Sequence, residues 1–210
     1  MENLSIQSTP EAQCLRHKPR EDVEGVCKEE SSESLEIEAT PLEVIQYPDE
    51  RLESIAEEID FSSPDFNKTE IEKLVEAMKA TAKKNEGAGL AATQIGVTKR
   101  IIIFKKKNEQ FASLINPKII NEKREAISRD EGCLSVLNSE FRTDVPRFKK
   151  ITVQGFNAKG RGVTIKLSGF PAFVVQHEVD HLNGKDKVAD AARKAGKLSA
   201  EVAQFTKIIN

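Results

Sequence analysis

The chain has 210 residues, 38% of them hydrophobic and 31% charged, with a formal net charge of −2, which is enough for one domain with a full core. Its three cysteines are an odd number and imply no disulfide framework, and no apolar run is long enough to span a bilayer. A disulfide-stapled secreted scaffold and a helical membrane protein are therefore both excluded.

Residues 1–40 carry ten acidic and four basic side chains, so the remainder is mildly basic at about +4. This Glu- and Ser-rich stretch has no sustained apolar periodicity and predicts a disordered or loosely attached leader. It has neither the apolar segment of a secretory signal nor the Arg-rich, acid-poor composition of a transit peptide, and a cytoplasmic location is expected. Cys14, His17 and Cys27 fall within it and are not expected to form a second metal site.

Folded structure is predicted to begin near Pro41, with an extended stretch running into a Pro48-Asp49 turn. Thr69 and Glu72 have capping-box spacing, and Ile71, Leu74, Val75, Met78 and Ala82 recur at helical spacing, which predicts a helix with one buried face. The glycine-rich segment Gly87-Ala-Gly-Leu-Ala-Ala-Thr-Gln94 lacks the Lys-Ser/Thr ending of a phosphate loop and precedes a strand. It suits close approach of a substrate backbone, with Gln94 as an amide that both donates and accepts.

Strands are predicted at Arg100–Lys105, Ser113–Asn116, Lys118–Glu122, Ile151–Phe156 and Gly162–Leu167. Lys105-Lys-Lys107 at a strand end reads as a solvated turn, and no DNA or membrane partner is expected. The stretch from Val188 to Ile209 is helix-prone and amphipathic. The expected architecture is α+β: antiparallel sheets packed around a central metal-binding helix, with an N-terminal and a C-terminal helix. The expected organisation is a leader (1–40), a catalytic domain (41–187) and a C-terminal helical extension (188–210).

That central helix is read from His177-Glu-Val-Asp-His181. Positions i and i+4 share a helix face, so both imidazoles can reach one cation while Glu178 flanks a water. A third ligand is needed. The metzincin pattern requires histidine where this chain has Lys187, and that reading fails. A zincin protease could use Glu201, whereas Cys133 in Glu131-Gly-Cys-Leu-Ser135, 44 residues before His177, offers a thiolate and is the better candidate.

Three segments, Gly87–Gln94, Glu131–Ser135 and His177–His181, resemble in order and spacing the three signature motifs of the peptide deformylase family. The resemblance covers roughly residues 41–184, including Tyr47–Leu52 and Val145-Pro-Arg147. It implies that Cys133, His177 and His181 bind one divalent ion, Fe²⁺ physiologically, with Zn²⁺, Ni²⁺ or Co²⁺ able to substitute. It implies further that Glu178 carries the proton from water to the leaving amine, and that the Gln94 amide and the Leu134 N–H stabilise the oxyanion. Gly89 would bind or make room for the substrate backbone, and Phe173 and Val174 would line a methionine pocket. The implied reaction removes formyl from N-formylmethionyl nascent peptides and releases formate, with the ribosome as a candidate partner. A deformylase-like ribosome-binding protein without activity is the non-enzymatic alternative.

The chain departs from the family pattern at Val136-Leu-Asn138, which bears on the rim of the substrate groove. It departs again at Lys185-Asp-Lys187, where the family runs apolar, which bears on the docking of the C-terminal helix.

Overall fold

The computed structural model describes residues 39–198. The leader up to residue 38, with Cys14, His17 and Cys27, and the end of the C-terminal stretch, with Glu201, lie outside the described residues. The elements are α1 (Lys68–Lys84), β1 (Gly89–Ala91), β2 (Ile101–Lys105), β3 (Phe111–Gly132), β4 (Arg142–Phe156), β5 (Gly162–Ser168), α2 (Phe170–Leu182) and α3 (Lys187–Lys194). The strands pair antiparallel in chain order, so this α+β chain has one five-stranded sheet rather than several.

The sheet is covered on both faces around β2, because successive side chains of a strand point to opposite sides. Ile102 and Phe104 pack with Val175, Val179 and Leu182 of α2, while Ile101 and Ile103 pack with Val75, Met78 and Ala82 of α1. Burying each of these side chains other than Ala82 contributes about 1.5–3 kcal/mol. The apolar face of α1 is the predicted one, but its start is not. Asn67 is the N-cap, accepting the Glu70 N–H at 3.3 Å and donating to the Glu70 carboxylate at 2.9 Å, so the box sits two residues before Thr69 and Glu72.

The two predicted strands at Ser113–Asn116 and Lys118–Glu122 are parts of β3, which continues to Gly132. Pro117 separates them in sequence, but it falls at a register shift between Ile115 and Lys118, where no ladder donor is needed. Beyond Asn121, β3 pairs only with β4 as a largely exposed ribbon, and its charged residues give no apolar alternation to read.

Helix α2 starts after Gly169, has Pro171 in its first turn and is buried over most of its surface. The Gln176 amide ties it to β4 by exchanging 2.8 Å hydrogen bonds with both the N–H and the C=O of Phe148. The helix ends at Leu182, and two residues on stands Gly184, whose φ of 65° disfavours a side chain and where a β-carbon would collide with the Glu53 backbone. The chain then turns back, and Asp186 caps α3. Val188, Ala189 and Ala192 of α3 join Tyr47, Leu52, Val136, Val145 and Cys133 in a third buried cluster. Among the described residues no helix is long and apolar enough to cross a membrane.

Candidate metal centre

His177 and His181 project from one face of α2 with ring centroids 4.8 Å apart. The turn after β3 brings Cys133 to them, with its Sγ 3.3 Å from Nε2 of His181. All three are buried. A fourth buried group, Asp186, joins them, and one donor atom from each of the four lies within 4.8 Å of the other three. A thiolate, two imidazoles and a carboxylate form a donor set suited to a borderline divalent ion. The sulfur of Cys133 and Nε2 of His181 face one another in this buried place, which fits a site whose remaining interactions are with a cation.

The surroundings orient these donors. Nδ1 of His177 lies 2.9 Å from the Glu131 carboxylate and only 3.5 Å from the Arg147 guanidinium. The shorter contact identifies Nδ1–H as the donor to Glu131, which leaves the Nε2 lone pair for an ion. Arg147 in turn donates to Glu131 at 2.6 and 3.2 Å and to Asp180 at 2.5 Å, so the Asp of the helix motif anchors this network. The Ser135 N–H points at the Cys133 sulfur at 3.4 Å.

Gln94 has a fixed amide orientation. Its Oε1 accepts the Ala91 N–H at 2.9 Å, so its NH₂ faces Ser135 Oγ at 3.1 Å and the Cys133 sulfur at 3.6 Å. Glu178 is 3% exposed, and its Oε2 has no hydrogen-bond partner. Gly89 stands directly against it: a β-carbon there would meet Glu178 Oε1 and, at 2.6 Å, Val174. Leu134 lies beside Cys133, and its carbonyl accepts the Gln46 amide at 2.8 Å. Gln94, Glu178, Gly89, Cys133 and Leu134 border a cleft of about 730 Å³ that Phe173 and Val174 also line. Asn138 lies on its rim with a φ of 50°, within the segment where the chain departs from the family pattern.

With only protein charges acting, the site holds protons. Burial pushes the Cys133 thiol up, and the Asp186 carboxylate beside it adds to the shift. Burial lowers His177, but its hydrogen bond to Glu131 and the charges of Glu178 and Asp186 outweigh that and bring it to about 9. Burial takes His181 down to about 4. A divalent ion binds thiolate and unprotonated imidazole nitrogen, so it must displace the protons on Cys133 and His177. Affinity for Zn²⁺ is therefore expected to rise with pH through the neutral range and fall on acidification. Calorimetry in buffers of different ionisation enthalpy checks this, and binding without net proton release contradicts it.

Residues 41–195 match the family model described as polypeptide deformylase. A peptide deformylase of Buchnera aphidicola is 42% identical over 146 residues, covering 69% of this chain and 83% of that protein. The chain belongs to the peptide deformylase family.

Solved deformylases share the fold. The Met-Ala-Ser-bound class I type b enzyme of Acinetobacter baumannii superposes with a TM-score of 0.64 at 31% identity, covering 72% of this chain and 98% of that one. The peptide deformylase of Legionella pneumophila gives a TM-score of 0.66 at 28% identity, covering 80% and 97%. Glu201, the third ligand of the protease reading, lies beyond the residues that match the family model.

The sequence-predicted residues Cys133, His177, His181, Glu178, Gln94, Leu134 and Gly89 all come together in this deformylase-family site. Sequence reasoning did not single out Asp186, Ser135 or the Glu131–Arg147–Asp180 network. Asp186 was visible only as a polar residue in a position expected to be apolar.

Proposed function

We propose that the chain removes the formyl group from N-formylmethionyl peptides, with Cys133, His177 and His181 holding one divalent ion. The observation that carries this reading is the convergence of those buried donors with Glu178, Gln94 and the open edge of β1 at one cleft. Fe²⁺ is the expected physiological ion, with Zn²⁺, Ni²⁺ or Co²⁺ as substitutes. When bound, such an ion supplies Lewis acidity, which activates water near neutral pH and polarises a carbonyl.

The chain's own residues supply the rest. The Lys105 N–H donates to the Ala88 carbonyl, and Gly89 lies opposite Phe104, so the alternation of antiparallel bonding turns the Gly89 backbone away from β2. A peptide can add there as a further strand. Phe173 and Val174 then offer an apolar wall for the methionine side chain. Glu178 takes the proton of the attacking water and returns it to the departing amine. The Gln94 NH₂ and the Leu134 N–H donate to the formyl oxygen as negative charge develops on it. The C–N bond breaks, and formate and a free amino terminus leave.

A side chain at position 89 would push Glu178 and Val174 aside and narrow the strand-docking edge. Gly89→Val is expected to lower kcat/KM by up to about 100-fold, with metal content unchanged. Steady-state kinetics alongside elemental analysis checks this.

Nascent chains are the expected substrates, which implies a cytoplasmic site of action and makes the ribosome a candidate partner. Residues 41–187 are assigned as the catalytic unit, with 1–40 as leader and 188–210 as extension. The first turns of the extension bury Val188, Ala189 and Ala192 beside Cys133 and so support the site directly.

The test is formate release from formyl-Met-Ala-Ser by protein loaded anaerobically with Fe²⁺ or Ni²⁺. Release well above that of a Glu178→Ala protein is expected. Equal release by the two proteins would sink the reading.

A further inference from the structure

Residues 45–47 lie across the two turns that carry the proposed oxyanion donors. The Ile45 N–H donates to the Gln94 carbonyl at 2.8 Å, and the Tyr47 N–H donates to the Ser135 carbonyl at 2.9 Å. Between them the half-buried Gln46 side chain donates from Nε2 to the Leu134 carbonyl at 2.8 Å and, more weakly, to the Val44 carbonyl at 3.4 Å. Its Oε1 accepts the Asn138 N–H at 3.0 Å. A backbone N–H can only donate and a carbonyl can only accept, so these partners fix which way the amide points.

The peptide group between Leu134 and Ser135 is planar and trans, so its C=O and N–H point in opposite directions. Holding the carbonyl towards Gln46 therefore aims the Ser135 N–H the other way, where it meets the Cys133 sulfur at 3.4 Å. The Leu134 side chain packs closely on Gly87, where a β-carbon would come within 2.9 Å of its Cδ1. Among the described residues the Leu134 N–H has no acceptor, which leaves it for a formyl oxygen.

The other end of the amide reaches the rim of the cleft. Leu137, Asn138 and Ser139 have φ of 47, 50 and 71°, a left-handed run that side chains disfavour. Leu137 and Asn138 belong to the segment in which the chain departs from the family pattern, and Asn138 and Ser139 line the cleft. One side chain thus holds both this rim and the Leu134 turn.

We propose that Gln46 is a positioning residue for deformylation: its amide ties the cleft rim to the Leu134 turn and fixes the direction of the two N–H groups there. The inference rests on the deformylase reading of Leu134 and Cys133 and adds a residue outside the three signature motifs. The Leu134 N–H must meet charge that develops only in the transition state. A turn that is free to rotate therefore slows the reaction more than it weakens substrate binding.

Gln46→Met and Gln46→Glu in the full chain test this. Methionine has a similar length and no amide, so it loses both bonds. Glutamate keeps an oxygen for the Asn138 N–H but sets its second oxygen against the Leu134 carbonyl, where nothing donates. Loss of a whole oxyanion donor costs about 10²–10³ in kcat, and a misdirected one costs less. Both variants, loaded with Ni²⁺, are expected to lose about 10-fold in kcat on formyl-Met-Ala-Ser, with KM within about twofold of the wild type. Metal content is expected to be unchanged. The Ser135 amide is expected to exchange its hydrogen faster in both variants than in the wild type, with or without Ni²⁺, because its peptide group is no longer held.

Wild-type kcat in both variants would overturn the proposal. So would a loss confined to Gln46→Glu, which would assign the effect to the added charge, or a slower kcat with unaltered Ser135 exchange. A raised KM at unchanged kcat would overturn it too, by making Gln46 part of the substrate wall. Should Gln46→Met fold poorly, the kinetics and the Ser135 exchange of Gln46→Glu decide alone. Failure of the wild type itself to release formate overturns the deformylase reading, whereas normal wild-type turnover beside unaffected variants removes Gln46 alone.

Discussion

Glu178→Gln is expected to lose formate release by a factor of about 10²–10⁴ while keeping its divalent ion. The carboxyl group is buried, and burial, partly offset by the neighbouring His177, lifts it to about 8. A carboxyl group in this place can both accept a proton from water and give it to an amine, and a bound dication would favour its charged, proton-accepting form. Glutamine has nearly the same shape and keeps the contact with Gly89, but it cannot carry a proton. The donor atoms of Cys133, His177 and His181 do not depend on this residue, so metal content separates a catalytic defect from a collapsed site. Loss of the ion together with the activity would mean that Glu178 holds the site together instead.

The second large effect is on stability. Arg147→Leu removes the cation that joins a buried network, leaving Glu131 with only His177 and Asp180 with only the Lys187 ammonium at 3.9 Å, a change expected to cost about 3–5 kcal/mol and to lower Tm by about 10 °C or more. The Arg147 side chain is 1% exposed, so water cannot take its place. Burial alone would raise Glu131 above its ordinary value of 4.5, but hydrogen bonds from His177 and Arg147 hold it down at about 2.

A carboxyl group held below its unfolded value stabilises the fold above that value. In the wild type this contribution is complete above about pH 4.5 and is lost as the pH falls towards about 2. In Arg147→Leu the carboxylate loses its cation and protonates more readily, so acid unfolding is expected to begin at higher pH. His177 would also lose its fixed orientation, because the Glu131 that holds its Nδ1–H would no longer be anchored. Thermal and acid unfolding followed by circular dichroism measure both effects, and a wild-type acid limb would contradict the assignment.

How much of this was legible in the sequence depended on whether a contact is local. His177 and His181 are related by helix geometry, and the residues between them show that relation directly. Cys133 was reachable because its motif and the helix motif occur together, although 48 residues separate it from the His181 ring it approaches. The helix α1 was read from its buried stripe, yet its start shifted by two residues. Thr69/Glu72 and Asn67/Glu70 have the same spacing, and only the extended backbone at Asn67 decides between them.

The long ribbon of β3 and β4 was under-read for a different reason. The outer part of β3 is mostly exposed and that of β4 buries only Val145 and Arg147, one of them charged, so almost no apolar period of two is printed on the residues. Pro117 looked like a strand end because a bulge that accommodates proline has no signature of its own. Asp186 could not be read as part of the buried centre because its position depends on the reversal at Gly184 and on the cap of α3. Both are short-range features, but their consequence at the metal centre is a tertiary one.

The most direct test of the central claim is the divalent-metal stoichiometry of the purified chain by elemental analysis, for the wild type and for Cys133→Ala, His177→Ala and His181→Ala. About one ion per chain in the wild type, falling close to zero in each single variant, is the predicted result. Full occupancy retained without the sulfur of Cys133 would mean that the ion sits elsewhere, and the proposed centre would be wrong.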